Sequence, residues 1–249
     1  MSDIKKYCVA NWKMYIHSKE ITRFIKTFNR YILNNDVEIV LCPNYIDLYN
    51  LNTLLSNSNI KIGSQNISIN KNGAYTGDIS LDMLVSANCK FSIIGHSERR
   101  YNYNESDLLI NKKLKILNNS SINPIICIGE TIEEKESGDT FDVINHQLNT
   151  IFNNVDILEH KDYLIAYEPR WAIGTGVAAD METIKSVCSF IKNIIKTIDK
   201  NYCNLYLLYG GSVSETNASE ILKIEDVDGF LIGSSSIKPE KFYKIYNKF

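Results

Sequence analysis

The sequence predicts a single-domain α/β fold, a (β/α)8 barrel spanning residues 1–249, and three observations carry that expectation. Short runs rich in β-branched and aromatic residues recur eight times along the chain. Segments with the apolar spacing of helices lie between them. No Pro/Gly/Ser-rich linker divides the repeats.

The eight runs read as strands at Tyr7–Asn11, Val37–Cys42, Ile60–Gln65, Phe91–Gly95, Pro124–Ile128, Tyr163–Tyr167, Asn204–Tyr209 and Gly229–Ile232. They are nearly continuously apolar, which suits strands of a parallel sheet buried on both faces. Their starts recur at about 32-residue intervals, room for a strand, a helix and two loops per βαβ unit. Ile184–Ile198 illustrates the helical segments. Its Ile184, Val187, Cys188, Ile191, Ile194, Ile195 and Ile198 keep the i, i+3/i+4 spacing of a core-facing stripe. The four prolines (Pro43, Pro124, Pro169 and Pro239) fall at or near element ends, where a missing N–H is tolerated. Rhythm by itself does not show closure, so an open doubly wound sheet remains the alternative.

Composition narrows the function classes. At 249 residues with 44% hydrophobic content, the chain can bury a substantial core. A net charge of −2 offers no global attraction to nucleic acid or acidic membranes. The polar Met1–Lys6 segment does not read as a secretory signal, and no apolar stretch approaches the roughly 18 residues that span a bilayer. The six cysteines (Cys8, Cys42, Cys89, Cys127, Cys188 and Cys203) form no C-x-x-C pair, and those in apolar runs behave as small hydrophobes. A reducing cytoplasm is the expected location. The four histidines (His17, His96, His146 and His160) have no metal-ligand spacing, so no metal is expected. Gly174-Thr175-Gly176-Val177-Ala178-Ala179 fits the dinucleotide pattern G-x-G-x-x-A. It begins too far past Tyr167 for the tight strand-to-helix turn that a pyrophosphate needs.

In barrels of this kind, active sites gather at the carboxyl ends of the strands. Those ends carry Asn11-Trp12-Lys13, Gly95-His96-Ser97-Glu98-Arg99, Glu168-Pro169, Gly210-Gly211-Ser212 and Gly233-Ser234. A carboxylate, an imidazole, an ammonium, an amide and two glycine–serine turns form a kit for proton transfer beside a carbonyl on a phosphorylated substrate.

The same blocks resemble the triosephosphate isomerase family. They are Asn11-Trp12-Lys13-Met14, Gly73-Ala74-Tyr75-Thr76-Gly77, Ile94-Gly95-His96-Ser97-Glu98-Arg99-Arg100, Cys127-Ile128-Gly129-Glu130-Thr131, Tyr167-Glu168-Pro169 with Trp171-Ala172-Ile173-Gly174-Thr175-Gly176, and Tyr209-Gly210-Gly211-Ser212-Val213. They stand in the family's order and cover essentially the whole chain. The resemblance implies a TIM barrel that interconverts dihydroxyacetone phosphate and glyceraldehyde 3-phosphate through an enediolate, in glycolysis and gluconeogenesis, without a cofactor. It implies Glu168 as base, His96 as neutral electrophile, Lys13 as fixed positive charge and Asn11 as amide donor. It also implies substrate contacts from Asn11, Lys13, Gly174, Ser212, Gly233 and Ser234. Pro169–Gly176 resembles the family's mobile lid. The Gln65–Ser80 loop resembles its interdigitating dimer loop, with Thr76 reaching the partner's site near Asn11 and Lys13.

Four departures stand out. Arg170 occupies a usually apolar place in the lid, and Val177 a place where lysine is common. Tyr15-Ile16 replaces a frequent Asn-Gly pair, and Ser234-Ser235 replaces a Gly/Asn-Ala-type pair in the phosphate loop. Two rival readings remain. A Schiff-base aldolase needs an inner-strand lysine, which Tyr163–Glu168 lacks. A catalytically silent barrel would have lost some of the four catalytic positions, all of which are filled.

Overall fold

The computed structural model describes residues 5–34, 36–172, 179–198 and 204–249. Eight parallel strands follow one another around a closed barrel: β1 (Lys6–Asn11), β2 (Val37–Cys42), β3 (Lys61–Ser64), β4 (Phe91–Ile94), β5 (Asn123–Ile128), β6 (Tyr163–Tyr167), β7 (Leu205–Tyr209) and β8 (Gly229–Ile232). The sequence reading locates every strand to within a residue at each end. Closure is made where Tyr7–Ala10 of β1 pairs with Gly229–Ile232 of β8. That pairing removes the exposed edges of an open sheet and rules out the doubly wound alternative.

Continuous apolarity has a direct cause here. Side chains alternate along each strand, and both faces are buried. Tyr7, Val9, Val40, Phe91, Ile93, Ile125, Leu164, Ala166, Leu208 and Leu231 pack together inside the barrel. Their neighbours Cys8, Ala10, Ile39, Leu41, Ile126, Ile165, Leu207 and Phe230 join the helix-facing core. The helix Met181–Ile198 buries Ile184, Val187, Cys188, Ile191 and Ile195 as its spacing predicts, and Lys192 as well. Lys192 reaches Asp228 at 2.6 Å, an ion pair that the apolar stripe did not reveal.

The same alternation aims the polar residues. Asn11 continues the inward phase of Tyr7 and Val9, and Glu168 continues that of Leu164 and Ala166. Each therefore stands at the carboxyl mouth of the barrel, above its apolar interior. Among the described residues no helix is long and apolar enough to cross a membrane.

Candidate active site

Glu168 sits one residue beyond β6, held by its backbone N–H donating to Ile128 O at 2.7 Å. Glycine allows this close approach. A Cβ on Gly129 would lie 1.8 Å from Glu168 O, and one on Gly210 would lie 2.9 Å from Glu168 Cγ. The carboxylate is buried, with Oε2 accepting from Ser97 N at 2.9 Å and Oε1 standing 3.2 Å from His96 Nε2. Beneath it lies Cys127, on the inward face of β5. Burial first, and then the neighbouring Glu168 carboxylate, push that thiol well above its ordinary range. A thiol so placed stays protonated and unreactive.

His96 is the N-cap of the helix Ser97–Tyr103, and its Nδ1 accepts from Glu98 N at 3.2 Å. With Nδ1 accepting, the neutral ring carries its proton on Nε2, the nitrogen that faces Glu168. The helix starts at the histidine itself.

Lys13 adopts φ +49, left-handed backbone that is uncommon for a residue with a side chain. Its N–H donates to Asn11 Oδ1 at 3.1 Å, and its carbonyl accepts from Gln65 Nε2 at 2.9 Å. The ammonium is mostly buried and touches Glu98 Oε1 at 2.7 Å. The sequence reading named Lys13 as the fixed positive charge and gave it no protein contact; the structure adds Glu98. Lys13 Nζ also lies against the turn at Gly233, where an added Cβ would come within 3.6 Å of it.

These residues share one cleft of about 230 Å³ with Tyr15, Gly210, Gly211, Ser212, Val213, Ser234 and Ser235. It is smaller than the ~300–1,000 Å³ of pockets for drug-sized ligands, so it fits a small metabolite. The cleft brings together Asn11, Lys13, His96, Glu168, Ser212, Gly233 and Ser234. Gly174 and Val177 lie outside the described residues. The loop after β8 opens with a 3-10 turn, Ser234–Ser236.

Sequence reasoning passed over three supports. Glu98 and Ser97 were inside a quoted block, but their bonds to Lys13 and Glu168 cross the barrel. Glu130 is the third. Its Oε1 accepts from Trp171 Nε1 at 2.8 Å and from Tyr167 OH at 3.2 Å, while its carbonyl accepts from Arg170 N at 3.0 Å. It thereby pins the segment that follows Glu168. Lys135 adds a cation 3.3 Å above the Trp171 ring. The available signal was a glutamate just past the end of an apolar strand, inside the quoted Cys127–Thr131 block.

Comparison with known proteins agrees with this geometry. The sequence model of a family described as "Triosephosphate isomerase" matches residues 6–249. Curated relatives carrying that name include one from Aquifex aeolicus, 42% identical over 249 residues, covering 99% of this chain and 100% of the relative. Another, from Buchnera aphidicola subsp. Schizaphis graminum, is 42% identical over 245 residues and covers 97% and 96%. One from Mycoplasmopsis pulmonis is 39% identical over 248 residues, covering 97% and 96%. With a closed eight-stranded barrel and this identity along nearly its full length, the chain belongs to the triosephosphate isomerase family.

Proposed function

We propose that the chain interconverts dihydroxyacetone phosphate and D-glyceraldehyde 3-phosphate, in glycolysis and gluconeogenesis, in the cytoplasm. The observation that carries this reading is the pairing of Glu168 Oε1 and His96 Nε2, 3.2 Å apart. They share the cleft with the glycine–serine turns after β7 and β8. A base, a neutral hydrogen-bond donor and an anion cradle are what the isomerisation demands. The division of labour below is the one already established for the family, and it is carried here onto these residues.

Glu168 takes the proton from the carbon beside the carbonyl and leaves an enediolate. It returns that proton to the neighbouring carbon while the hydroxyl proton passes from one substrate oxygen to the other by way of His96, which exchanges ketone for aldehyde with no net redox change. His96 Nε2–H donates to the substrate oxygen on which negative charge grows, and Asn11 offers an amide donor to a second oxygen. Lys13 stabilises the phosphate and the developing oxyanion together, releasing Glu98 as it turns to substrate. Backbone N–H groups at Ser212, Gly233 and Ser234 receive the phosphate, joined by Gly174 when the lid closes and excludes water. A coupled assay in both directions tests this reading. Absence of turnover in either direction would refute it.

Gly210 offers a sharper local test. Because an added methyl group would press on Glu168 Cγ at 2.9 Å, Gly210→Ala should displace the base by a fraction of an ångström. The expected result is a fall in kcat of roughly tenfold to a hundredfold, with a circular dichroism spectrum like wild type. Full kcat would show that Glu168 does not need its observed position.

We further infer a homodimer formed through the Gln65–Ser80 loop. Residues 71–78 are all exposed, and the loop is braced from within by Ser68 N donating to Ile79 O and Ser68 Oγ to Asp78. Gly77 takes φ +90 at the tip, a conformation open to glycine. Met14 (88% exposed), Ile46 (87%), Tyr49 (61%), Tyr75 (50%) and Met83 (50%) are large apolar side chains left open to solvent, the kind a second chain would cover. A groove lined by Lys13, Tyr15, Glu98 and Tyr101 offers a seat for the partner's loop tip. Light scattering should give the mass of two chains. A fully active monomer at assay concentration would overturn this assignment.

A further inference from the structure

We propose that Ser235 is a positioning residue for phosphate recognition: its hydroxyl clips the two phosphate loops together and sets the spacing of their donors. This rests on the reading above, in which the cleft accepts a phosphate. Ser235 Oγ donates to Val213 O at 2.8 Å, linking positions 22 residues apart. Val213 belongs to the loop after β7, and Ser235 to the 3-10 turn after β8. Among the described residues, no other hydrogen bond joins these two loops directly.

Each loop is otherwise fixed on its own side. In the first, Asn217 Nδ2 donates to Ser212 O at 2.9 Å, and Asn217 Oδ1 accepts from Ser214 N at 2.8 Å. In the second, the Ser236 hydroxyl turns back to Gly233 O at 2.7 Å, and Ser236 O accepts from Trp12 Nε1 at 3.1 Å. These bonds give each loop its shape and leave the distance between loops to the clip. A phosphate dianion accepting N–H groups from both loops needs them at one separation, because a hydrogen bond weakens steeply with misalignment. Without the clip, the anion must draw the loops together itself, and the ordering cost is subtracted from binding. The substrate end that bears the carbonyl faces His96 and Glu168, so the chemical step does not depend on the clip.

The test compares wild type with Ser235→Ala by titrating inorganic phosphate in a calorimeter and by steady-state kinetics. One neutral hydrogen bond corresponds to roughly threefold to tenfold in an equilibrium constant. Phosphate binding and KM for the triose phosphate should weaken by about that factor. kcat should stay within about twofold, and turnover of glyceraldehyde, the phosphate-free analogue, should not change. The fold should hold, with a circular dichroism spectrum like wild type and a melting temperature at most a few degrees lower, because Val213 is buried and its carbonyl loses one neutral donor. Unchanged phosphate affinity would overturn the proposal. So would an equal loss on glyceraldehyde, which would mark a general structural role. If wild type binds phosphate but isomerises nothing, the reaction assignment fails. The phosphate titration of Ser235→Ala then still decides the clip.

Discussion

Replacing Lys13 with alanine should lower kcat/KM by about 10²–10³-fold, roughly 3–4 kcal/mol of transition-state stabilisation. The ammonium is the cation that the cleft presents to both the phosphate turn at Gly233 and the reacting end near His96. In a water-poor cleft its loss is not made good by solvent. Both kinetic constants should suffer: KM because the phosphate loses a counter-charge, kcat because the oxyanion does. Stability should change little. Glu98, left without its 2.7 Å partner, is 47% exposed and takes up water instead. The φ +49 backbone at this position is no harder for alanine than for lysine. Near wild-type kcat/KM in the variant would reduce Lys13 to a surface ion pair with Glu98.

Glu168→Asp should reduce kcat by about a hundredfold and leave KM nearly unchanged. The shorter side chain withdraws the carboxylate by roughly 1 Å, and a misplacement of that size can cost a factor of about 10² where geometry controls proton transfer. The structure gives the retreat a specific meaning. Oε2 would part from Ser97 N, now 2.9 Å away, and Oε1 would lose its 3.2 Å approach to His96 Nε2. Substrate grip rests mainly with the turns after β7 and β8, which the substitution does not touch. The loss therefore belongs to the transition state rather than to ground-state binding. Single-turnover measurements separate the chemical step from product release. Wild-type chemistry in the Asp variant would show that another group is the base, and a collapsed melting temperature would mark Glu168 as structural.

The barrel was legible because its physics is local. A strand buried on both faces must be apolar along its length, so Tyr163–Tyr167 and Gly229–Ile232 announce themselves without knowledge of their neighbours. The helix Met181–Ile198 is equally plain from its apolar stripe. Buried polar residues were not. Lys192 interrupts that stripe because Asp228, on another element, receives its charge, and nothing in the local pattern names the partner.

The candidate site divides along the same line. Sequence alone determined which residues stand at the carboxyl mouth. The period of two carries Asn11 and Glu168 inward, and the blocks around His96 and Ser212 identify the strand ends. Only the tertiary structure decided what each of them touches. Lys13 meets Glu98 across 85 positions, and Ser97 N meets Glu168 across 71. Ser235 reaches Val213 from the next strand's loop, and Cys127 lies beneath Glu168 from the strand before. Hydrophobic periodicity specifies the face a residue must turn to the core and carries no term for the residue opposite. That term is set when β1 pairs with β8, because closure fixes the stagger of all eight strands and with it which loop ends come within hydrogen-bonding distance.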